Sequence, residues 1–335
     1  MAMSIQCFSL LAAFATKNVR DALRVCAALF KIMVPVMVVM KVLQELGLVV
    51  LVGQSMGPVM ELFGLPGTMG LVWATAMLTN LYAAAVVLIT LLPESPLTSA
   101  QVTVLATMML IAHGLPVELS IAGRSGARVR TQLFVRIGAA MLCGWLLYLC
   151  YGWLDWGTAP VQPSWIPDAP PTGWAAWMVR EIRNLAGIAM IVLIMLMLLD
   201  VLKRLGVTDL MIRLLSPLLK SMGIGREAGT ITIVGMTLGL SYGGGLIIHE
   251  ARSGRIPAKD IFLALTFMGL CHSLIEDTLL MLLLGADLSG ILWARMAFSL
   301  VFLWILAWTV ARLPDSVINA LLVRSQMGSR MSSQS

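Results

Sequence analysis

The sequence predicts an all-α polytopic membrane protein. It is built from two inverted repeats of about five elements each, with interfacial helices and re-entrant hairpins. Three observations carry that expectation. Of 335 residues, 59% are hydrophobic and only 12% charged. A soluble domain averages about 45–50% apolar and about 25% charged, and mean hydropathy here is +0.92. Apolar stretches of spanning length, roughly 20 residues each, follow one another with short connections. Finally, polar residues inside those stretches recur at a fixed offset. This composition excludes a compact soluble enzyme, and no polar stretch is long enough for a separate soluble domain.

The offset is 159 positions (201 − 42). VLQELG at 42–47 recurs as VLKRLG at 201–206. The same offset joins Pro58 to Pro217, Gly64 to Gly223, His113 to His272, Glu118 to Asp277 and Arg136 to Arg295. NLYAAA at 80–85 matches LSYGGG at 240–245, displaced by one residue. Apolar coincidences are common in a chain rich in Leu and Met, but polar ones inside apolar stretches are rare. The chain therefore reads as a duplication.

In chain order, residues 1–24 form a lead-in helix. Its apolar run precedes its positive charges, the reverse of a cleavable signal. Repeat 1 covers 25–153, a linker 154–184, repeat 2 185–312, and a tail 313–335. The first element of each copy is an apolar helix, 25–44 and 185–204. The second, 48–63 and 207–222, is shorter, and Asp209, Arg213 and Lys220 among leucines suit an interface. The third, 67–92 and 227–249, is rich in small residues. Either all five elements of a copy cross, or the second is interfacial and the third a re-entrant hairpin, which leaves three crossings. The charges on 207–222 and the glycine run favour the second reading. The fourth, 100–123 and 260–285, holds the histidine, and the fifth runs 131–153 and 291–312. Five prolines between 160 and 171 and several tryptophans mark the linker as an interfacial segment. The tail ends in polar SQMGSRMSSQS and is expected to fray.

Charge sets the orientation. Arg124, Arg128 and Arg130 follow the fourth element of copy one, whereas the equivalent GADLSG at 285–290 carries only Asp287. PESPLTS at 93–99 has no Lys or Arg, whereas its partner region has Arg252, Arg255 and Lys259. Equivalent loops carry opposite bias, as inverted repeats require. Both termini are then cytoplasmic and the linker is outside, in the inner (cytoplasmic) membrane. Arg180, Arg183 and Arg226 run against the rule, which holds on balance. The net charge of +6 belongs to this bias and implies no nucleic acid. Cys7, Cys26, Cys143, Cys150 and Cys271 form no CxxC pair and read as packing residues. So do the 24 methionines.

Ionisable groups inside spanning segments are costly and face a cavity or a partner. Copy one reads AHGLPVEL, with His113 and Glu118; copy two reads CHSLIEDT, with His272, Ser273, Glu276 and Asp277. On a continuous helix His272 and Glu276 would share one face. Pro116 breaks the helix of copy one. Ser241, Gly243 and Gly244 allow close backbone approach and complete the expected solute- or ion-binding set. Arg136 and Arg295 are expected to balance Glu118 and Asp277. If a metal is held, His113, His272 and Glu276 are the candidate ligands; a proton relay uses the same groups. His249 and Glu250 read as a solvated helix end. His272 and Asp277 also fit H-x4-D, which resembles an acyltransferase signature. Its recurrence in an oppositely oriented copy argues against catalysis, and no HExxH, P-loop or GxSxG pattern is present.

LSYGGGLIIHEARSGRIPAKD (240–260) and LCHSLIEDTLLMLLLGA (270–286) resemble the nucleoside-recognition, or "Gate", domain membrane proteins. That superfamily is similar to concentrative nucleoside transporters, the membrane part of ferrous-iron transporters and spore-maturation membrane proteins. The resemblance spans roughly 30–150 and 185–312 and is tightest in copy two. It implies inverted repeats, re-entrant hairpins and a central site. The function expected is translocation of a small polar solute or ion by alternating access, without enzymatic activity or cofactor. The alternatives are a membrane scaffold of the spore-maturation kind and, further off, a membrane acyltransferase. The partners expected are the solute or ion and the bilayer, with a homo-oligomer left open.

Overall fold

A computed structural model describes residues 2–161, 173–222, 224–225, 228–229, 232, 236, 248–249, 251 and 256–323. The described residues are almost wholly helical, with only two isolated β-bridges, Thr98 to Pro160 and Ala127 to Val323. The helices are α1 (Ala2–Glu45), α2 (Leu48–Glu61), α3 (Met69–Leu78), α4 (Leu81–Leu91), α5 (Ser99–Ile111), α6 (Leu115–Arg124) and α7 (Val129–Leu154). They continue as α8 (Trp174–Arg204), α9 (Val207–Ser221), α10 (Ala258–Cys271), α11 (Glu276–Leu283) and α12 (Arg295–Val310). A π-helical turn, Ser289–Ala294, leads into α12, and a short α13 (Asp315–Val317) runs into a second, Ile318–Leu322.

Five stretches are long and apolar enough to cross a membrane: Ser99–Arg124, Val129–Leu154, Trp174–Leu202, Ala258–Leu283 and Ser289–Val310. A sixth is the bent pair Val19–Ala27 and Leu29–Glu45 within α1. The protein is thus an all-α polytopic membrane protein. The lead-in and first element are one helix, α1, bent by 41°.

Burial sorts these spans into centre and rim. Ser99–Arg124 and Ala258–Leu283 are 67% and 78% buried inside the protein, whereas Trp174–Leu202 is 12% buried. The first two, which carry the histidines, form the middle. Here α5 packs on α7 and on α10, and α10 packs on α12. Helix α8 pairs with α1 at the rim, exposing Ile182, Met190, Ile194 and Leu198, as a lipid-facing surface requires.

The 159-residue offset also appears in the backbone. Gly47 and Gly206, 159 positions apart, both take left-handed conformations (φ +66° and +76°) ahead of α2 and α9. Only glycine adopts that region freely. Helix α9 places Leu215 and Leu219 inward and leaves Arg213 and Lys220 exposed, the pattern of an amphipathic interfacial helix.

The third element of copy one is two short helices, α3 and α4, packed together across a turn at Thr79 and Asn80. At 1.5 Å per residue, neither spans the roughly 30 Å of hydrocarbon. Asn80 Oδ1 accepts a hydrogen bond from Ala83 N at 2.9 Å and caps α4. Most of the corresponding stretch of copy two, including Ser241, Gly243 and Gly244, lies outside the described residues.

The start of the tail is docked rather than frayed. Arg128 N donates to Leu322 O at 2.8 Å and Arg128 Nε to Val323 O at 3.2 Å. The backbone after α7 makes a similar contact, Val161 N donating to Leu97 O at 2.8 Å.

Candidate functional site

Both histidine-bearing spans are broken at their histidines. Helix α5 ends at Ile111 and α6 begins at Leu115; α10 ends at Cys271 and α11 begins at Glu276. Gly114 (φ +55°) and its repeat mate Ser273 (φ +48°) make the two reversals in the left-handed region. The expectation of a continuous helix through 272–276 is therefore corrected. The break leaves His272 at the end of one helix and Glu276 at the start of the next, so they share no helical face. A proline sits beside only one break, Pro116 in the first turn of α6; the second is made without one.

The histidines cap what the breaks expose. A helix end leaves carbonyls without donors. His113 Nδ1 bonds Met109 O at 3.0 Å, and His272 Nδ1 bonds Met268 O at 2.9 Å. The other ring nitrogens turn inward and meet, Nε2 to Nε2, at 3.1 Å. Glu118 Oε1 lies 3.6 Å from His113 Nε2 and 3.3 Å from His272 Nε2. Asp277 Oδ2 lies 3.8 Å from His113 Nε2. Each of the four residues is more than nine-tenths buried. Glu118 and Asp277 stand in the first turns of α6 and α11, where the helix dipole favours a negative charge.

The arginines depart from one another. Arg136 on α7 donates to Ile111 O from Nε (3.0 Å) and from a terminal nitrogen (2.9 Å), and pairs with Glu118 Oε2. It thereby closes the end of α5 and neutralises the carboxylate. Arg295 on α12 is fully buried, yet among the described residues its guanidinium has no hydrogen-bond partner and no ion pair with Asp277. The direct carboxylate–arginine pair is thus made in copy one, whereas among the described residues Arg295 and Asp277 make no direct contact.

Glu276 also differs from its expected place. It accepts a hydrogen bond from Tyr82 on α4 at 3.1 Å, and the group that joins the histidines is Asp277. Nε2 of both histidines and a carboxylate oxygen of Asp277 all lie within 4.8 Å of one another. Ser273 supplies the reversal itself. Gly114 N donates to Ala76 O at 2.9 Å, so the end of α3 is pinned to the first break. Sequence reasoning placed NLYAAA here but did not single out Tyr82. A tyrosine inside an otherwise small-residue segment was the available signal.

A pocket beside Glu118, Gln132, Arg136 and Gly269 has a volume of about 10 Å³, room for one water. A larger cavity, about 210 Å³, lies elsewhere, among Phe63, Gln101, Tyr148, Tyr151 and Trp156. It gathers no histidine and no ion pair, so the buried cluster is the stronger candidate.

Two broken, buried spans whose interruptions meet at a charged cluster define a class: polytopic membrane proteins with a polar centre held between helix halves. The comparisons narrow this. Residues 26–125 match the nucleoside-recognition (Gate) family model, a stretch of about 100 of the 335 residues. The matched stretch lies in copy one and contains His113 and Glu118, whereas the motifs quoted from the sequence are densest in copy two. The chain is also 28% identical over 294 residues to YvoD, an uncharacterised membrane protein of Bacillus subtilis (strain 168). That match covers 86% of this chain and 92% of the relative. No solved structure matches it.

Proposed function

We propose that the protein translocates a small polar solute or ion by alternating access between its two repeats, with no enzymatic activity. The observation that carries this is the meeting of two mid-span breaks at His113, His272, Glu118 and Asp277. Irregular backbone and buried charge at membrane depth are tolerated where they line a substrate path. The Gate-domain match supports the same reading. In it the repeats are inverted, the termini lie on the cytoplasmic side of the inner membrane, and α3–α4 is a re-entrant hairpin whose turn reaches the site. The partners are the solute and the bilayer. A scaffold or an acyltransferase has no use for two equivalent histidines converging on one point.

The test is uptake into vesicles reconstituted with the purified protein, screened with divalent cations, nucleosides and small organic anions. Saturable uptake of one class, lost in His272→Gln, is the expected result. Uptake no greater than in protein-free vesicles across the whole panel contradicts the proposal.

A further inference from the structure

We infer that the paired histidines form a site for a divalent first-row transition-metal cation, held by His113 Nε2, His272 Nε2, Asp277 Oδ2 and Glu118 Oε1. The inference deepens the transport reading, on which the role of that ion as cargo rests.

The tautomers carry the first step. Met109 O and Met268 O are carbonyls and only accept, so each Nδ1 facing them must carry the hydrogen. In a neutral imidazole the other nitrogen is then a bare acceptor. With both rings neutral, two bare Nε2 atoms face each other at 3.1 Å. Lone pairs that converge in this way call for a cation. A backbone carbonyl on the second nitrogen is also the usual arrangement around a metal-ligating histidine, fixing its tautomer and orientation.

Geometry carries the second step. Tetrahedral coordination with bonds of about 2.0–2.2 Å sets donors roughly 3.3–3.6 Å apart. The observed separations are 3.1 Å between the histidines, 3.3 and 3.6 Å from them to Glu118, and 3.8 Å from His113 to Asp277. The two histidines and Asp277 all lie within 4.8 Å of one another, so the Asp277 edge is wider than the tetrahedral one and closes on binding. Asp277 Oδ2 is buried and has no hydrogen-bond partner among the described residues, although its carboxylate stands at the cluster. Glu118 gives one oxygen to Arg136 and keeps the other for the histidines. The ends of α5 and α10, where the helix dipole is negative, also point at the ion's position.

The donor set selects the metal. Two imidazoles and carboxylates suit zinc, cobalt, nickel or iron(II), whereas magnesium and calcium take oxygen alone. No thiolate joins the donor set: Cys271, adjacent to His272 in the chain, is not among the groups gathered there.

The experiment is a Co2+ titration of the purified, tag-free full chain in detergent. One equivalent per chain is expected, with the intense visible bands of a four-coordinate site, displaced by Zn2+ and not by millimolar Mg2+. X-ray absorption of the wild-type complex should show two imidazoles per ion, a readout that needs no variant. Losing an outer-shell partner weakens a metal site roughly 10–100-fold, so His113→Gln and His272→Gln should each weaken binding by more than that. His249→Gln, at an exposed position, should leave it unchanged. A wild-type protein that binds no Co2+, an oxygen-only shell, or affinity unchanged in both variants overturns the inference. Metal bound without uptake in any vesicle experiment would sink transport and keep the site. Uptake of another solute without Co2+ binding would do the reverse.

Discussion

The two left-handed reversals predict substitutions of opposite sign at equivalent positions. Gly114 and Ser273 sit at φ +55° and +48°, a region that costs a residue with a Cβ about 1–2 kcal/mol. In Gly114→Ala the new Cβ would meet Glu118 Oε1 at 3.4 Å and Thr79 O at 3.8 Å, ordinary contacts. The cost is therefore conformational, about 1–2 kcal/mol, reduced by about 0.4–1 kcal/mol because alanine restricts the unfolded chain. Ser273→Gly releases the same strain, offset by the extra unfolded-chain entropy of glycine, about 0.5–1 kcal/mol. A net gain of roughly 0–1.5 kcal/mol remains. Reversible unfolding in mixed micelles, with the denaturing detergent fraction varied, measures both. Destabilisation by Ser273→Gly, or shifts of the same sign in the two variants, would refute a shared left-handed break.

Two further outcomes follow from the site and the topology. Arg136→Met strands the buried Glu118 carboxylate and Ile111 carbonyl, and should cost about 3–5 kcal/mol; adding Glu118→Gln should recover part of it, and a double-mutant cycle with no coupling would show that the pair is not made. Reporters fused at 95 and 255 should appear on opposite sides of the membrane. The same side would make the repeat parallel rather than inverted.

Much of this architecture was legible because polar residues are conspicuous in apolar helices. His113 and His272, Glu118 and Asp277, and the two arginines pointed to a duplication, and the histidines and carboxylates meet at the centre. The second break was illegible. Residues 272–276 read HSLIE, with neither proline nor glycine, and only tertiary packing holds Ser273 in a left-handed conformation. Treating that stretch as one helix put Glu276, rather than Asp277, among the candidate metal ligands. The missing hydrogen bonds of the Arg295 guanidinium were equally hidden, because sequence pairs it with Asp277 by analogy with Arg136 and Glu118.

The central claim is that the polar centre opens to water on each side of the membrane in turn. Its most direct test is a single cysteine at Glu276→Cys, in a chain whose five native cysteines are replaced, reconstituted in sealed vesicles. A small membrane-impermeant thiol reagent is added outside in one series and trapped inside in the other. Labelling from both faces, slowed by bound ligand, is the predicted result. A thiol that stays inert from both faces, or reacts from one face alone under every condition, would contradict the account.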